Sequence, residues 1–280
     1  KMANAAVNEC DVLFLVGARV GDRAVKTPLA LEKTTKIIHI DIDPAEIGKN
    51  IGADLPLVGD AKLVLQQMTE LAKPMKHDEW IAHIKTLGGE RKYVEPAKGT
   101  VNPRVFIDRL AKKMPANVTV VADVGQNQIW TCTEYKFRKE GRLLTSGGMG
   151  TMGYSVPAAI GAKMADNSRA TVAICGDGAF QMSFMELATA VQFGVDIKVV
   201  VMTNNRLGMV RELQTNGYHD RQTAVFLDGS PDFIKLAEAY SIPAMRVYDD
   251  DTMEKGIEML AEHKGICLVE VVVDKDMPTL

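Results

Sequence analysis

The chain has 280 residues, of which 46% are hydrophobic and 25% charged, and its formal net charge is −3. It therefore lacks the basic surface that binding to nucleic acid or an anionic membrane needs, and we expect neither as a partner. No apolar run reaches the roughly 18 residues of a membrane span. The four cysteines have no paired metal-binding spacing, which fits a reducing cytoplasm.

The first section, residues 1–72, alternates helix and strand patterns. A helix is predicted at 3–10, and another at 60–71. Strands are predicted at 12–16, 36–40 and 55–58. Three strands make about half of a doubly wound parallel sheet. We therefore expect the C-terminal half of a Rossmann-like domain, followed by a partly helical linker at 73–100 that is rich in Lys, Glu, Pro and Gly.

The second domain, residues 101–280, begins with Asn102 as a helix N-cap and Pro103 in the first helical turn. Helices alternate with strands predicted at 118–122, 143–145, 170–175, 198–202, 244–247 and 267–273. This order predicts an α/β fold with a doubly wound, parallel, six-stranded sheet.

Two polar clusters follow buried strands of that sheet: Gly176-Asp177-Gly178, and Asn204-Asn205 after 25 intervening residues. Ligands of open α/β sheets bind at the carboxyl ends of the strands, so the clusters are expected to face one crevice. Asp177, Asn204 and a backbone carbonyl near Arg206 offer the oxygen ligands that Mg²⁺ prefers. The glycines allow close approach of a diphosphate. Otherwise the clusters are only a turn and a loop.

A helix is expected to begin near Phe180 and to direct its N-terminal amides at the diphosphate. Its predicted apolar face consists of Met182, Met185, Leu187, Ala188 and Val191.

A glycine motif offers a competing interpretation. Residues 148–153 match G-x-G-x-x-G between a predicted strand and a predicted helix, and Asp177 lies 24 positions beyond Gly153. That arrangement is typical of nicotinamide dinucleotide sites, so an oxidoreductase is an alternative. The preceding strand is short, however, and Asn204-Asn205 would have no role.

Together these residues resemble the thiamine-diphosphate enzymes, which carry Gly-Asp-Gly followed by Asn-Asn. Residues 145–154, 157–162, 207–210 and 231–233 are similar to the acetolactate synthase (acetohydroxyacid synthase) catalytic subunits, and residues 39–50 to their central domain. The resemblance covers nearly all of the second domain.

The resemblance implies thiamine diphosphate and Mg²⁺ as cofactors. The metal would be bound by Asp177, Asn204 and the Arg206 carbonyl. Met152 would separate the two rings of the cofactor, and the Gly150 carbonyl would accept a hydrogen from its amino group. The remaining cofactor contacts would come from Gln126, Gly176, Gly178, Ala179, Gly208 and Met209. Without the resemblance, Met152 is interpreted as a core methionine and Gln126 as a helix cap.

The implied reaction decarboxylates pyruvate and adds the two-carbon unit to a second 2-keto acid, as in branched-chain amino acid biosynthesis. The family's activating glutamate lies in an N-terminal pyrimidine-binding domain that these residues do not include, so the chain alone is expected to be inactive. A homodimer is implied, and a regulatory subunit is left open.

Several positions depart from the family pattern. Leu213 replaces a common tryptophan and Asn127 a common histidine, which leaves the acceptor keto acid open. Residues 17–23 resemble a flavin-contacting loop with substitutions. FAD is thus implied for the full-length enzyme, but half a domain does not favour flavin binding here. Another thiamine-diphosphate decarboxylase or carboligase, or a non-catalytic binding module, remains an alternative.

Overall fold

The fold is taken from a computed structural model that describes residues 2–21, 24–25, 28–88 and 93–279. The chain divides into two compact units, Lys1–Lys92 and Tyr93–Leu280. The division falls within the segment predicted as a linker. In the part of the chain that the structure describes, no helix is long and apolar enough to cross a membrane.

The first unit is a small parallel α/β layer. Its sheet has the order β1-β2-β3, with all pairs parallel. Buried Val20, Leu31, Ile37 and Ile51 form its core. Its elements are α1 (Met2–Glu9), β1 (Val12–Val16), α2 (Pro28–Glu32), β2 (Lys36–Asp41), β3 (Leu55–Val58), α3 (Ala61–Leu71) and α4 (Asp78–Thr86). Of the flavin-like loop, Asp22 and Arg23 lie outside the described residues.

The second unit contains the remaining elements. They are α5 (Pro103–Lys113), β4 (Thr119–Ala122), α6 (Gln126–Glu134), β5 (Arg142–Thr145), α7 (Ser155–Ala165), β6 (Thr171–Gly176), α8 (Asp177–Gln181), a 3₁₀ turn (Phe184–Glu186), α9 (Leu187–Gln192), β7 (Lys198–Thr203), α10 (Gly208–Gly217), α11 (Phe233–Ala239), β8 (Ala244–Val247), α12 (Asp250–Glu262) and β9 (Cys267–Val272).

The six strands form one parallel sheet in the order β5-β4-β6-β7-β9-β8. Alternate residues of the central strands belong to two separate cores. Val200 lies in the core that includes residues of α5, α6 and α12, whereas Val199 and Val201 lie in the core that includes residues of α7, α9 and α11. Every residue of β4 and β7 is buried, as expected for strands covered on both sides. The predicted α/β class with a six-stranded parallel sheet is confirmed.

The prediction of one continuous helix that begins near Phe180 is wrong. The helix begins at Asp177, ends at Gln181, and is followed by the 3₁₀ turn and α9. Met182 and Met185 are each 57% exposed. Of the predicted apolar face Leu187 is buried, and it forms the core contacts together with Phe180 and Ala190, whereas most of that face is exposed.

Candidate active site

The candidate site lies where the strand order reverses. The chain leaves β4 toward β5 on one side and returns to place β6 on the other side of β4. Ligands of open α/β sheets bind outside the carboxyl ends of strands at such a point. The N-terminus of α6 follows β4 here, and Asp177 follows β6.

The carboxylate of Asp177 is 2% exposed and lies at the centre of this edge. Its Oδ1 accepts the backbone N–H of Gly178 (2.8 Å), and its Oδ2 accepts those of Asn204 (3.1 Å) and Asn205 (2.6 Å). Burial raises the pKa of Asp177 to about 6, against the opposite effect of these N–H donors. Asp177 and Asn204 therefore lie on the same side of the sheet, as the sequence predicted.

Asn204 and Arg206 lie in the loop after β7. The Asn204 Oδ1 accepts the backbone N–H of Arg206 (3.1 Å). Asn205 adopts a left-handed conformation with φ +52°, which asparagine tolerates better than most residues. The Arg206 guanidinium donates to the Asn205 carbonyl (2.7 Å) and pairs with Asp228 (2.7 Å).

Gln126 is the first residue of α6 and is buried. Its Oε1 accepts the Asn204 side-chain amide (3.1 Å), and its Nε2 donates to the Met277 carbonyl (3.0 Å) and to Thr279 Oγ1 (3.1 Å). The side chain thus connects three segments of the chain, and it does not cap its helix.

One cleft with an empty volume of about 560 Å³ brings the predicted residues together. Those that line it are Gln126, Met152, Gly176, Asp177, Gly178, Ala179, Asn204, Arg206, Gly208 and Met209. Gly150 is not among them. It lies in the exposed loop after β5 with φ +69°, and its predicted role stays a prediction.

At two glycines of the cleft, an added Cβ would lie close to neighbouring side chains. A Cβ at Gly178 would lie 2.8 Å from Leu207 Cδ2 and 3.3 Å from Met152 Cε. A Cβ at Gly208 would overlap the Gln126 side-chain amide. Met152 therefore faces Gly178 across the cleft, where it is partly buried against the sheet.

Sequence reasoning missed Asp123, which follows β4 as Asp177 follows β6. Its side chain is 0% exposed and accepts three backbone N–H groups, two of them from the loop that carries Met152. An aspartate directly after a buried apolar strand was the available signal. Trp130, Met202, Leu207 and Val210 also line the cleft and add its apolar walls.

The topology weakens the nicotinamide alternative. The glycine motif follows β5, which is an edge strand, and β4 separates β5 from β6. In a dinucleotide fold the acidic residue lies at the end of the strand next to the glycine motif. Asp177, two strands away, does not occupy that position.

The donor set suits a hard cation and a diphosphate. Asp177 offers a buried carboxylate whose hydrogen-bond partners are all backbone N–H groups, and Asn204 offers an amide oxygen. Within the described ranges no group of three His, Cys, Asp or Glu side chains could hold a metal. These two oxygen donors fit Mg²⁺, which completes its octahedron with phosphate oxygens and water. The N-terminus of α10 at Gly208 and Met209 directs backbone amides to the same cleft.

Two protein-family models match this chain. The C-terminal, thiamine pyrophosphate-binding domain of the thiamine pyrophosphate enzymes matches residues 123–271, and the central domain of the same enzymes matches residues 1–68. Thiamine pyrophosphate is another name for thiamine diphosphate. The chain belongs to the thiamine pyrophosphate enzyme family.

Within that family the chain is similar to acetolactate synthase large subunits. The chain is 38% identical to the probable large subunit of Methanocaldococcus jannaschii, with 98% of this chain and 48% of that protein covered. It is 36% identical to the large subunit of Lactococcus lactis, with 98% and 48% covered. For the isozyme 2 large subunit of Escherichia coli K12, the identity is 35% and the coverage 98% and 50%. The chain spans about half the length of these curated relatives.

Proposed function

We propose that the chain is part of an acetolactate synthase catalytic subunit and binds thiamine diphosphate through Mg²⁺. The observation that carries the proposal is the meeting of Asp177 and Asn204 at neighbouring strand ends, where the Asn204 N–H donates to Asp177 Oδ2 at 3.1 Å. A buried carboxylate beside an amide oxygen is a site for a hard cation, and a cation there would favour the ionised form of Asp177.

In this proposal the residues of the cleft have separate roles. Asp177, Asn204 and the Arg206 carbonyl hold Mg²⁺. Gln126, Gly208 and Met209 contact the diphosphate, and the backbone at 176–179 approaches it closely because Gly176 and Gly178 lack a Cβ. Met152 contacts the rings, and Gly150 accepts a hydrogen from the amino group of the pyrimidine.

Bound thiamine diphosphate would supply the nucleophilic carbon and the electron sink that decarboxylation of a 2-keto acid requires. The chain's own contribution is to hold the cofactor and to exclude water from its rings with the apolar walls of the cleft, including Trp130, Leu207 and Val210. We further propose pyruvate as the first substrate, a second 2-keto acid as the acceptor, and two copies of the full-length subunit sharing each site.

Isothermal titration calorimetry of the 280-residue chain tests the cofactor proposal. We expect thiamine diphosphate to bind with Mg²⁺ and not after chelation of the metal. We also expect the Asp177→Ala variant to lose the binding heat. The matched control is Asp166→Ala, in a turn where Asp166 accepts the Ser168 hydroxyl (2.6 Å). Identical heats for the wild-type chain and Asp177→Ala would contradict the proposal.

A further inference from the structure

Asp123 is a buried carboxylate at the carboxyl end of β4, beside the metal and diphosphate residues but not among the residues that line the cleft. Its backbone N–H continues the sheet by donating to the Ile174 carbonyl of β6 (2.8 Å). This bond fixes the main chain at the sheet edge, so the direction of the side chain is set by the sheet.

The Asp123 side chain accepts three backbone N–H groups. Oδ1 accepts those of Val124 (2.8 Å) and Gly153 (3.0 Å), and Oδ2 accepts that of Ser155 (2.7 Å). An ionised carboxylate has only acceptors, so both of its oxygens suit these donors. An asparagine would present its NH₂ group to at least one of the N–H groups and would leave that donor unpaired.

Two of these donors belong to the segment directly after Met152. Gly153 turns there with φ +83°, and a Cβ on it would lie 3.0 Å from the Met182 Cβ, so the segment is held from both sides. The Ser155 N–H is at the start of α7. Asp123 therefore fixes the main chain on which Met152 is carried, and with it the position of Met152 opposite Gly178.

The contacts of Asp123 and Asp177 are separate. Asp177 bonds to Gly178, Asn204 and Asn205, whereas Asp123 bonds to Val124, Gly153 and Ser155, and no donor is shared. A change at Asp123 can therefore disturb the loop of Met152 and leave the metal residues in place.

We propose that Asp123 is a positioning residue that fixes Met152 against the ring portion of thiamine diphosphate, while Asp177 governs the metal and diphosphate portion. The inference rests on the proposed function of the cleft. In this proposal the site has two parts, a ring part organised by Asp123 and a metal and diphosphate part organised by Asp177. A ligand that occupies both parts can be compared with one that occupies only the second.

Calorimetric titration of the 280-residue chain with two probes, thiamine diphosphate and inorganic diphosphate, both in the presence of Mg²⁺, tests the division. For Asp123→Asn we expect affinity for thiamine diphosphate to fall about tenfold, the effect of one lost hydrogen bond with an unpaired donor. Affinity for inorganic diphosphate should stay within about twofold, since that ligand has no rings for Met152 to contact. A purely structural role would reduce both affinities together.

Asp166→Asn is the matched control, because Asp166 lies at the opposite end of α7 and accepts the N–H of Ser168 there. It should leave both affinities unchanged. If Asp123→Asn fails to fold, Gly153→Ala replaces it, because alanine strains the turn that Asp123 holds. The same result is then expected: weaker binding of thiamine diphosphate and nearly unchanged binding of inorganic diphosphate. Unchanged binding of thiamine diphosphate, or a parallel loss of both ligands in a folded variant, would overturn the inference alone. A wild-type chain that binds neither ligand would refute the proposed function and this inference with it.

Discussion

The side-chain amide of Asn204 donates a 3.1 Å hydrogen bond to the Oε1 of Gln126, which is 78 residues earlier in the chain. The bond joins the loop after β7 to the N-terminus of α6, across the carboxyl end of β6. Gln126 in turn holds the segment at Met277 and Thr279. A single buried amide thus connects both sides of the cleft to the segment after β9.

Gln126→Ala is expected to destabilise the second unit by about 2 kcal/mol, because it removes three hydrogen bonds and leaves buried partners unpaired. Urea unfolding followed by tryptophan fluorescence would measure the loss. Gln128→Ala is the control from the same helix. Gln128 is partly exposed and donates one bond, to Thr145 Oγ1 (2.6 Å), so its loss should cost less than about 1 kcal/mol. Equal effects of the two variants would contradict the expectation.

Gly178→Ala is expected to weaken thiamine diphosphate binding and to keep the fold. The new Cβ would meet only the ends of side chains, Leu207 Cδ2 at 2.8 Å and Met152 Cε at 3.3 Å among them, and these would move into the cleft. Overpacking of this kind costs about 1–3 kcal/mol. Calorimetry would measure the affinity for thiamine diphosphate. An unchanged affinity would contradict the prediction and show that the side chains can move without entering the cofactor site.

Gly161→Ala is the matched glycine substitution for that experiment. Gly161 is exposed within α7, and no neighbouring atom lies within 4 Å of its Cβ position. Alanine there should raise the free energy of unfolding by about 0.5–1 kcal/mol because it removes the backbone entropy cost of a helical glycine. Cofactor binding should not change. A thermal unfolding midpoint that falls would contradict this prediction.

Asn102→Ala tests the first helix of the second unit. Asn102 caps α5 by accepting the N–H groups of Arg104 (2.9 Å) and Val105 (3.3 Å), and its own amide donates to the Val94 carbonyl (2.8 Å). Because the side chain is buried, its removal should lower the free energy of unfolding by about 1–2 kcal/mol, measured by urea unfolding. Asn102→Asp keeps both accepted hydrogen bonds and should therefore be more stable than Asn102→Ala. Equal stability of the two variants would contradict a capping role and would mean that the hydrogen bond to Val94 contributes more to stability than the cap.

The chain by itself is expected to form no acetolactate from pyruvate, even with thiamine diphosphate and Mg²⁺. It spans about half of the acetolactate synthase large subunits that it matches, and the family resemblance implies that the activating glutamate belongs to the other half. An assay of acetolactate formation by the pure chain, with a full-length relative as the positive control, would measure this. Turnover by the pure chain would refute the prediction.

Much of the fold was predictable because its strands are short, largely apolar runs. The predicted strands at 12–16, 55–58 and 244–247 coincide with β1, β3 and β8, and the remaining strand boundaries differ by one residue. Most residues of these runs are apolar, which favours strands. In β4 and β7 every residue is buried, whereas β1 and β3 consist of half-buried and exposed residues and Arg246 interrupts the apolar run of β8. The N-cap at Asn102 was predictable as well, since asparagine before proline has a local physical reason.

The broken helix after Asp177 was not predictable from apolar spacing. Spacing shows which residues share a helical face but not where the helix breaks or which face the sheet covers. Here Met182 and Met185 of the predicted face are exposed, whereas Leu187 of the same face is buried. The contacts of Gln126 and Asp123 were equally hidden. They join segments that are far apart in the sequence, and only the strand order brings those segments together.

The position of β9 has a consequence for how the cleft comes to exist during synthesis. The strand that precedes Asn204, β7, pairs with β6 on one edge and with β9 on the other. Since β9 is the last strand of the sheet to leave the ribosome, β7 has an open edge until then, and Gln126 has no Met277 or Thr279 to hold it. During synthesis, the residues that line the cleft are therefore all present before the strand pairing and the hydrogen bonds that fix their positions can form.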